Sequence, residues 1–242
     1  MRLDKALASS GYGTRTEVKA LISKGLVSLD GTVIKDPGFK ISDDQKDLIE
    51  VAGQSATIKD KIYLLLNKPD GVLTAMEDKR LPHVGQFIPS NIINRKISPV
   101  GRLDFHTTGL LILTNDGELS HRLTSPVYGI SKVYEVTYDG PVLTEAEVNE
   151  AKAGITLTDQ DKPVNLHPAE LKIKDGNSAC LTLTEGKTHE VRRIFAHWER
   201  PVLTLKRISV GDLALGDNLA EGQIRELTEE EINGLKKITK LN

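Results

Sequence analysis

Asp104 sits in a Gly-led polar segment, Gly101-Arg102-Leu103-Asp104-Phe105-His106-Thr107-Thr108. That segment runs straight into Gly109-Leu110-Leu111-Ile112-Leu113-Thr114, an apolar run without alternation. Such a run suits a strand buried on both faces. A rigid strand fixes the backbone while the loop ahead of it presents its carboxylate to a ligand. An ionised carboxylate held this way can act as a nucleophile or stabilise developing positive charge. Read alone, an Asp beside an Arg in a loop is more often a turn residue or a surface ion pair. Tyr134 is a second candidate, in the period-two run Lys132-Val133-Tyr134-Glu135-Val136-Thr137-Tyr138. A tyrosine in such a strand usually packs. Arg192 and Arg193 form a third, at the start of a helical stretch, where two arginines are ordinarily solvated. Glycine-rich phosphate loops, H-E-x-x-H, C-x-x-C and G-x-S-x-G are absent. His83, His106, His121, His167, His189 and His197 show no metal-ligand grouping, so no metal site is expected. What remains is an enzyme working with side chains alone, or a binding protein.

The elements that must position these residues fall into two groups. Residues 1–58 read as a small α/β unit. Thr14-Arg15-Thr16-Glu17 has capping-box spacing, Val18, Leu21 and Ile22 form one apolar helical face, and Gly25 ends the helix. Arg15, Lys19 and Lys24 lie on its exposed side. Leu26 to Ile34 is a hairpin around Asp30-Gly31, a pair suited to positive φ. Leu48 to Val51 is a further strand, and Gly53-Gln54-Ser55-Ala56 is a polar linker.

Residues 60–242 form the second unit. Ile62 to Leu66 is a buried strand ending in a turn, Asn67-Lys68-Pro69-Asp70-Gly71. Asn115-Asp116-Gly117 is a turn and Gly117 to Leu123 a short helix. Lys132 to Tyr138 is a strand. A capping box at Thr144 to Glu147 opens a helix through Ala153. Ala169 to Ile173 and Ala179 to Leu183 flank the hairpin turn Asp175-Gly176-Asn177. His189 to Trp198 is a helix. Val202 to Leu205 and Ile208 to Val210 are two late strands, and Thr228 to Glu231 caps a C-terminal helix. No internal repeat or low-complexity segment is visible.

The chain has 242 residues, 38% apolar and 27% charged, as expected of a globular protein of one large or two smaller domains. No apolar run reaches the roughly 18 residues of a membrane span, and the N-terminus lacks the apolar core of a signal peptide. Cys180 is the only cysteine, which excludes an internal disulfide and argues for a reducing, cytoplasmic setting. A net charge of −2 and a pI near 6.3 argue mildly against nucleic acid. The distribution is more informative. Arg2, Lys5, Arg15, Lys19, Lys24, Lys35 and Lys40 make the N-terminus basic, and Lys187 to Arg207 is basic again. Acid collects at Asp43-Asp44 and Glu229-Glu230-Glu231. Two basic patches are compatible with RNA and also with an ordinary surface.

The string Gly101 to Gly117 as a whole resembles the catalytic motif of RNA pseudouridine synthases of the RsuA family. That motif is G-R-L-D, two variable residues, T-x-G, then an apolar strand ending T-N/D-D-G. Asn67-Lys68-Pro69-Asp70-Gly71 resembles the N-K-P-x-G string of the same family. Lys132-Val133-Tyr134-Glu135-Val136 resembles its K-x-Y-x-V motif. Glu185-Gly186-Lys187-Thr188-His189-Glu190-Val191-Arg192-Arg193-Ile194 resembles E/T-G-x-x-H/R-Q/E-V/I-R/K-R-M, departing with Glu190 for the commoner Gln and Ile194 for the commoner Met. At the start, Arg2-Leu3-Asp4-Lys5, Gly11-Tyr12-Gly13-Thr14-Arg15 and Gly25 to Gly31 resemble the RNA-binding domain named after ribosomal protein S-four.

The resemblance implies an α+β chain: an S-four-like domain at 1–58, then a synthase domain at 60–242 with a mixed, largely antiparallel sheet. It implies Asp104 as the catalytic aspartate, Tyr134 against the target base and Arg192 paired with Asp104. Arg2, Lys5, Arg15, Lys19 and Lys24 would contact RNA from the first domain, and Lys68, Arg102, Lys132, Lys187 and Arg193 from the second. The implied reaction isomerises a flipped uridine to pseudouridine, without net redox change and so without a cofactor. The implied substrate is ribosomal RNA or a subunit assembly intermediate, taken by a monomer with no membrane partner. Small-subunit 16S RNA is favoured because the chain is compact and lacks a long basic tail. The alternatives are a large-subunit RNA synthase, a non-catalytic RNA-binding assembly factor, and a carboxylate-dependent hydrolase. The last lacks a second carboxylate within the motif.

Overall fold

A computed structural model describes residues 1–241 apart from 43, 57, 59–60, 91 and 93–95. The acidic Asp43, and residues 59 and 60 at the expected domain boundary, therefore lie outside the described residues. The chain forms two compact units: Met1–Ile62 with Ile88–Ser98, and Tyr63–Phe87 with Pro99–Asn242.

In the first unit, helices α1 (Leu3–Ser9) and α2 (Arg15–Ser23) accompany strands β1 (Val27–Leu29), β2 (Thr32–Val33), β3 (Ile49–Val51) and β4 (Gln54–Ser55), arranged β2-β1-β3-β4. The expected cap of α2 is present: Glu17 N donates to Thr14 Oγ1 at 3.3 Å, and Thr14 N donates to Glu17 Oε2 at 2.6 Å. Asp30 and Gly31 take φ values of 48° and 73°, the left-handed pair that closes a two-residue hairpin with the right twist. Leu3, Leu7, Val18, Ile22, Val27, Ile41 and Ile49 are buried together.

The second unit is built on a sheet of strands β5 (Tyr63–Lys68), β6 (Thr108–Thr114), β7 (Lys132–Tyr138), β8 (Glu170–Ile173), β9 (Ser178–Leu183), β10 (Val202–Val210), β11 (Leu213–Ala214) and β12 (Ile224–Glu226). Its order is β8-β9-β7-β10-β6-β5-β12, with β11 beside β10. β10 and β6 are parallel, while the other pairs in this order are antiparallel. The class is α+β with a mixed, mostly antiparallel sheet. The apolar runs of β5 and β6 are central and buried on both faces, as their lack of alternation requires. Helices α4 (Glu145–Ala153) and α5 (Glu190–His197) bury Ala151, Ile194 and Phe195 with Val136, Leu181 and Leu205 of the sheet. Helices α3 (Gly117–Thr124) and α6 (Glu229–Ile238) bury Leu119, Leu123, Ile232 and Leu235 with Tyr63, Leu65, Leu110 and Ile112.

Three expectations need correction. Gln54 and Ser55, expected in a linker, form strand β4, paired antiparallel with β3 inside the first unit. The late strands are one strand, β10, with register shifts at Val202/Thr204 and Arg207/Ser209. Lys206-Arg207 looks like a polar break, but Arg207 is 3% exposed and its Nε donates to the Leu110 carbonyl oxygen at 2.9 Å. β5 also continues through Asn67 and Lys68, so the turn begins only at Pro69. Among the described residues no helix is long and apolar enough to cross a membrane.

Candidate active site

The loop from Gly101 to Thr107 carries Asp104, and its backbone is tied down from several sides. Thr74 Oγ1 donates to the Leu103 carbonyl oxygen at 2.6 Å and accepts from Leu103 N at 3.1 Å. Gly71 N donates to the Phe105 carbonyl oxygen at 3.1 Å. Lys68 Nζ donates to the carbonyl oxygens of Pro69, Phe105 and Thr107 at 3.0, 3.2 and 2.9 Å. An ammonium has three N–H donors, and here each meets a carbonyl. Arg192 Nη2 donates to the His106 carbonyl oxygen at 2.8 Å. The loop then enters β6 at Gly109, whose φ is +100°. A Cβ there would lie 2.3 Å from the Arg207 carbonyl oxygen, so only glycine lets β6 and β10 approach.

Asp104 borders two hollows. The larger, about 830 Å³, is lined by Asp70, Asp104, His106, Glu135, His189 and Arg192 among others. The smaller, about 80 Å³, is lined by Arg102, Asp104, Tyr134, Lys187, His189 and Glu190 among others. His189 Nε2 lies 3.6 Å from Asp104 Oδ1. His189 occupies the N-cap position of α5 with a left-handed backbone, φ 52°, and its side chain makes no capping hydrogen bond. His106 Nδ1 meets Asp70 Oδ1 at 3.1 Å on the rim. Among the described residues, no group of three or more His, Cys, Asp or Glu side chains is placed to hold a metal ion.

The RNA pseudouridylate synthase family model matches residues 62–197, and the S-four domain model matches residues 1–47. The chain belongs to the RNA pseudouridylate synthase family. It is 41% identical to an uncharacterized RNA pseudouridine synthase of Bacillus subtilis, over 96% of this chain and 97% of the relative. It is 38% identical to the ribosomal small subunit pseudouridine synthase A of Haemophilus influenzae, over 98% of this chain and the whole of that protein. A solved pseudouridylate synthase superposes with a TM-score of 0.67 at 35% identity, covering 97% of this chain and 99% of that one. The family is the one that the motifs resemble, and its fold is the one the sheet displays.

Within this synthase, Asp104, Tyr134 and Arg192 are brought to one region, but not in the expected contacts. Arg192 makes no ion pair with Asp104. Its fork reaches the His106 carbonyl, because α5 approaches the loop two residues beyond the carboxylate. Several side chains expected to meet RNA are otherwise engaged. Lys68 is fully buried, and burial pushes its ammonium down to about 8 against the attraction of Asp70 and Asp104. It is a clasp for the loop and not a phosphate contact. Arg193 forms a two-pronged pair with Asp159, both bonds 2.7 Å. Lys187 Nζ donates to the Asn165 carbonyl oxygen and pairs with Glu185 at 3.1 Å. Lys132 is half-buried, and desolvation lowers its ammonium from the usual lysine range. Arg102 is exposed on the loop.

In the first unit, Lys5, Lys19 and Lys24 are exposed. Arg2 and Arg15 converge on Asp4, at 3.0 and 3.2 Å. Asp4 is fully buried, and the Arg2 hydrogen bonds hold its carboxyl near 2. Both arginines therefore neutralise a buried charge while about half of each side chain stays exposed.

Three residues of the site were not singled out from sequence. His189 sits in the quoted motif, but its left-handed backbone leaves no sequence signal. Thr74 has none either. Glu190 is 4% exposed and lies within hydrogen-bond reach of the buried Glu185 carboxylate. Burial, with the like charge of Glu185, pushes its carboxyl up to about 7. Its departure from Gln was visible, but the proton it would hold was not.

Proposed function

We propose that this synthase isomerises a uridine in ribosomal RNA of the small subunit, with Asp104 as the reactive carboxylate. The observation that carries the proposal is Asp104 itself: a carboxylate on a clasped loop, at the junction of a wide cleft and a narrow hollow bordered by Tyr134. Relatives named ribosomal small subunit pseudouridine synthase A, at 34–38% identity over nearly the whole chain, support the substrate. The reaction breaks the bond from ribose C1′ to uracil N1 and joins C1′ to C5. The C5 proton is lost and N1 gains one, so atoms balance with no cofactor. A base inside a duplex cannot reach the carboxylate, so the uridine must be unpaired or flipped, at a cost of a few kcal/mol. In this reading the flanking nucleotides lie in the wide cleft, and Tyr134, which lines the narrow hollow, serves the base as a stacking face and a proton-handling hydroxyl.

Residues 1–58 act in this proposal as the RNA-docking module and residues 60–242 as the catalytic domain of a monomer. Phosphate contacts from Lys5, Lys19 and Lys24 fit recognition of RNA by charge and shape. The experiment is a map of pseudouridines in ribosomal RNA from cells with and without this gene. Loss of one site in small-subunit RNA is expected. Loss in large-subunit RNA would move the substrate, and an unchanged map would support a non-catalytic binding role. Release of free uracil from the RNA would instead identify a hydrolase.

A further inference from the structure

Behind Tyr134 lies a third hollow, about 100 Å³, lined by Arg102, Lys132, Tyr134, Gly186 and Arg207 among others, none of them acidic. It shares Arg102, Tyr134 and Gly186 with the narrow hollow that Asp104 borders. Strand geometry assembles it. Lys132 and Tyr134 are two apart on β7 and so share a face, and Arg207 of β10 is in register with Tyr134. Arg207 is 3% exposed and Lys132 half-buried. Lys132 Nζ donates to the Ile130 carbonyl oxygen at 3.2 Å, and Arg207 Nε to that of Leu110. Neither cation, nor Arg102, has a carboxylate within ion-pair distance among the described residues.

This is an unusual way to bury charge. A buried charge costs several kcal/mol unless an opposite charge or enough hydrogen bonds compensate it. Two neighbouring cations also repel: the charge of Arg207, added to burial, pushes the Lys132 ammonium down, and only a weaker attraction to Glu190 opposes this. The groups facing Lys132 are thus Arg207 from β10, Glu190 from α5, and Arg102 and Tyr134 across the hollow. With one acceptor each, both cations keep N–H donors for a ligand.

We propose that this hollow is a phosphoryl-oxyanion site, in which Lys132 and Arg207 receive a phosphate of the RNA backbone beside the nucleotide offered to Asp104. The assignment of the ligand rests on the reading of Asp104 as the reactive carboxylate. The anion site itself rests only on the two uncompensated cations. A guanidinium fork and an ammonium match the several oxygens of a phosphate better than a single halide.

The test uses the full chain, with inorganic phosphate and small-subunit ribosomal RNA as probes. Sodium phosphate should raise the Tm of the wild type by about 2 °C or more over sodium chloride at matched ionic strength. Lys132→Gln should lose that increment. It should also flatten the plot of log affinity against log salt for the RNA by about one unit, the signature of one lost phosphate contact. Arg207→Gln should behave alike if it folds, and Lys132→Gln decides if it does not. A phosphate increment without a change in RNA slope would keep the anion site and make free phosphate its ligand, overturning the RNA contact. No increment together with an unchanged slope overturns the proposal. Pseudouridine formation by the wild type is scored separately, so that failure of the catalytic reading is not mistaken for failure of this one.

Discussion

Lys68 shows how far a residue's role can lie from its charge. The family resemblance makes it an RNA contact, yet its ammonium is spent on the carbonyls of Pro69, Phe105 and Thr107, along the Asp104 loop and its approach. Lys68→Met keeps the volume and removes the donors, leaving buried acceptors unpaired. It should cost about 2–4 kcal/mol of stability and, by loosening Asp104, about a hundredfold in single-turnover rate. Denaturation and rapid-quench assays on the same sample check both. A normal rate in a folded variant would remove the clasp from the catalytic argument.

Glu190 makes a prediction of opposite kind. Its carboxyl ionises near 7 in the fold and near 4.5 when unfolded, so between these pH values the fold holds a proton that the unfolded chain has released. Stability from this residue is therefore present below about 4.5 and declines as pH rises through 7. The buried Glu185, held down by the His167 backbone N–H and Lys187, acts in the reverse sense on the acid side. Glu190→Gln can donate to Glu185 at every pH. Its stability relative to the wild type should rise by about 1–3 kcal/mol between pH 5 and pH 8. Urea titrations at the two pH values measure this, and parallel curves would show that Glu190 is ionised throughout.

At the scale of elements, α5 sets two adjacent arginines to different tasks. Successive helical residues point about 100° apart. Arg192 meets the loop, while Arg193 meets Asp159. Arg192→Ala should lower the rate at least about tenfold, since a clasp on the loop and a cleft cation go together. Arg193→Ala loses a partly exposed pair and should stay within about threefold, with at most about 1 kcal/mol of stability lost. Equal rate losses would mean that both arginines meet the RNA directly. These elements were largely legible in the sequence. Caps at Thr14, Thr144 and Thr228, the Asp30-Gly31 turn and the apolar runs of β5 and β6 are local signals, and each formed as read. The partners of charged side chains were not legible, because tertiary proximity decides them. Arg207 inside β10 is the clearest case, since a charge pair in a strand pattern normally marks its end. Helix α1 carries Leu3, Ala6 and Leu7 at helical spacing, but seven residues with no capping side chain give too weak a local signal to mark a helix.

At the scale of the whole molecule, the proposed function has a near-neutral chain meet a polyanion through locally concentrated cations. Deleting residues 1–58 should weaken binding of ribosomal RNA and reduce its salt dependence by a unit or more, about one per lost phosphate contact. Unchanged affinity and slope would show that Lys5, Lys19 and Lys24 are only solvated.

The proposed function rests on one carboxylate, and Asp104→Asn tests that with the least disturbance of shape. The measurement is single-turnover tritium release from small-subunit ribosomal RNA labelled at uridine C5, with RNA affinity determined in parallel. The wild type should release tritium, while Asp104→Asn binds within a few-fold and releases none. Release above about a hundredth of the wild-type rate, within the span that loss of an auxiliary acid–base group would explain, would contradict Asp104 as the reactive residue.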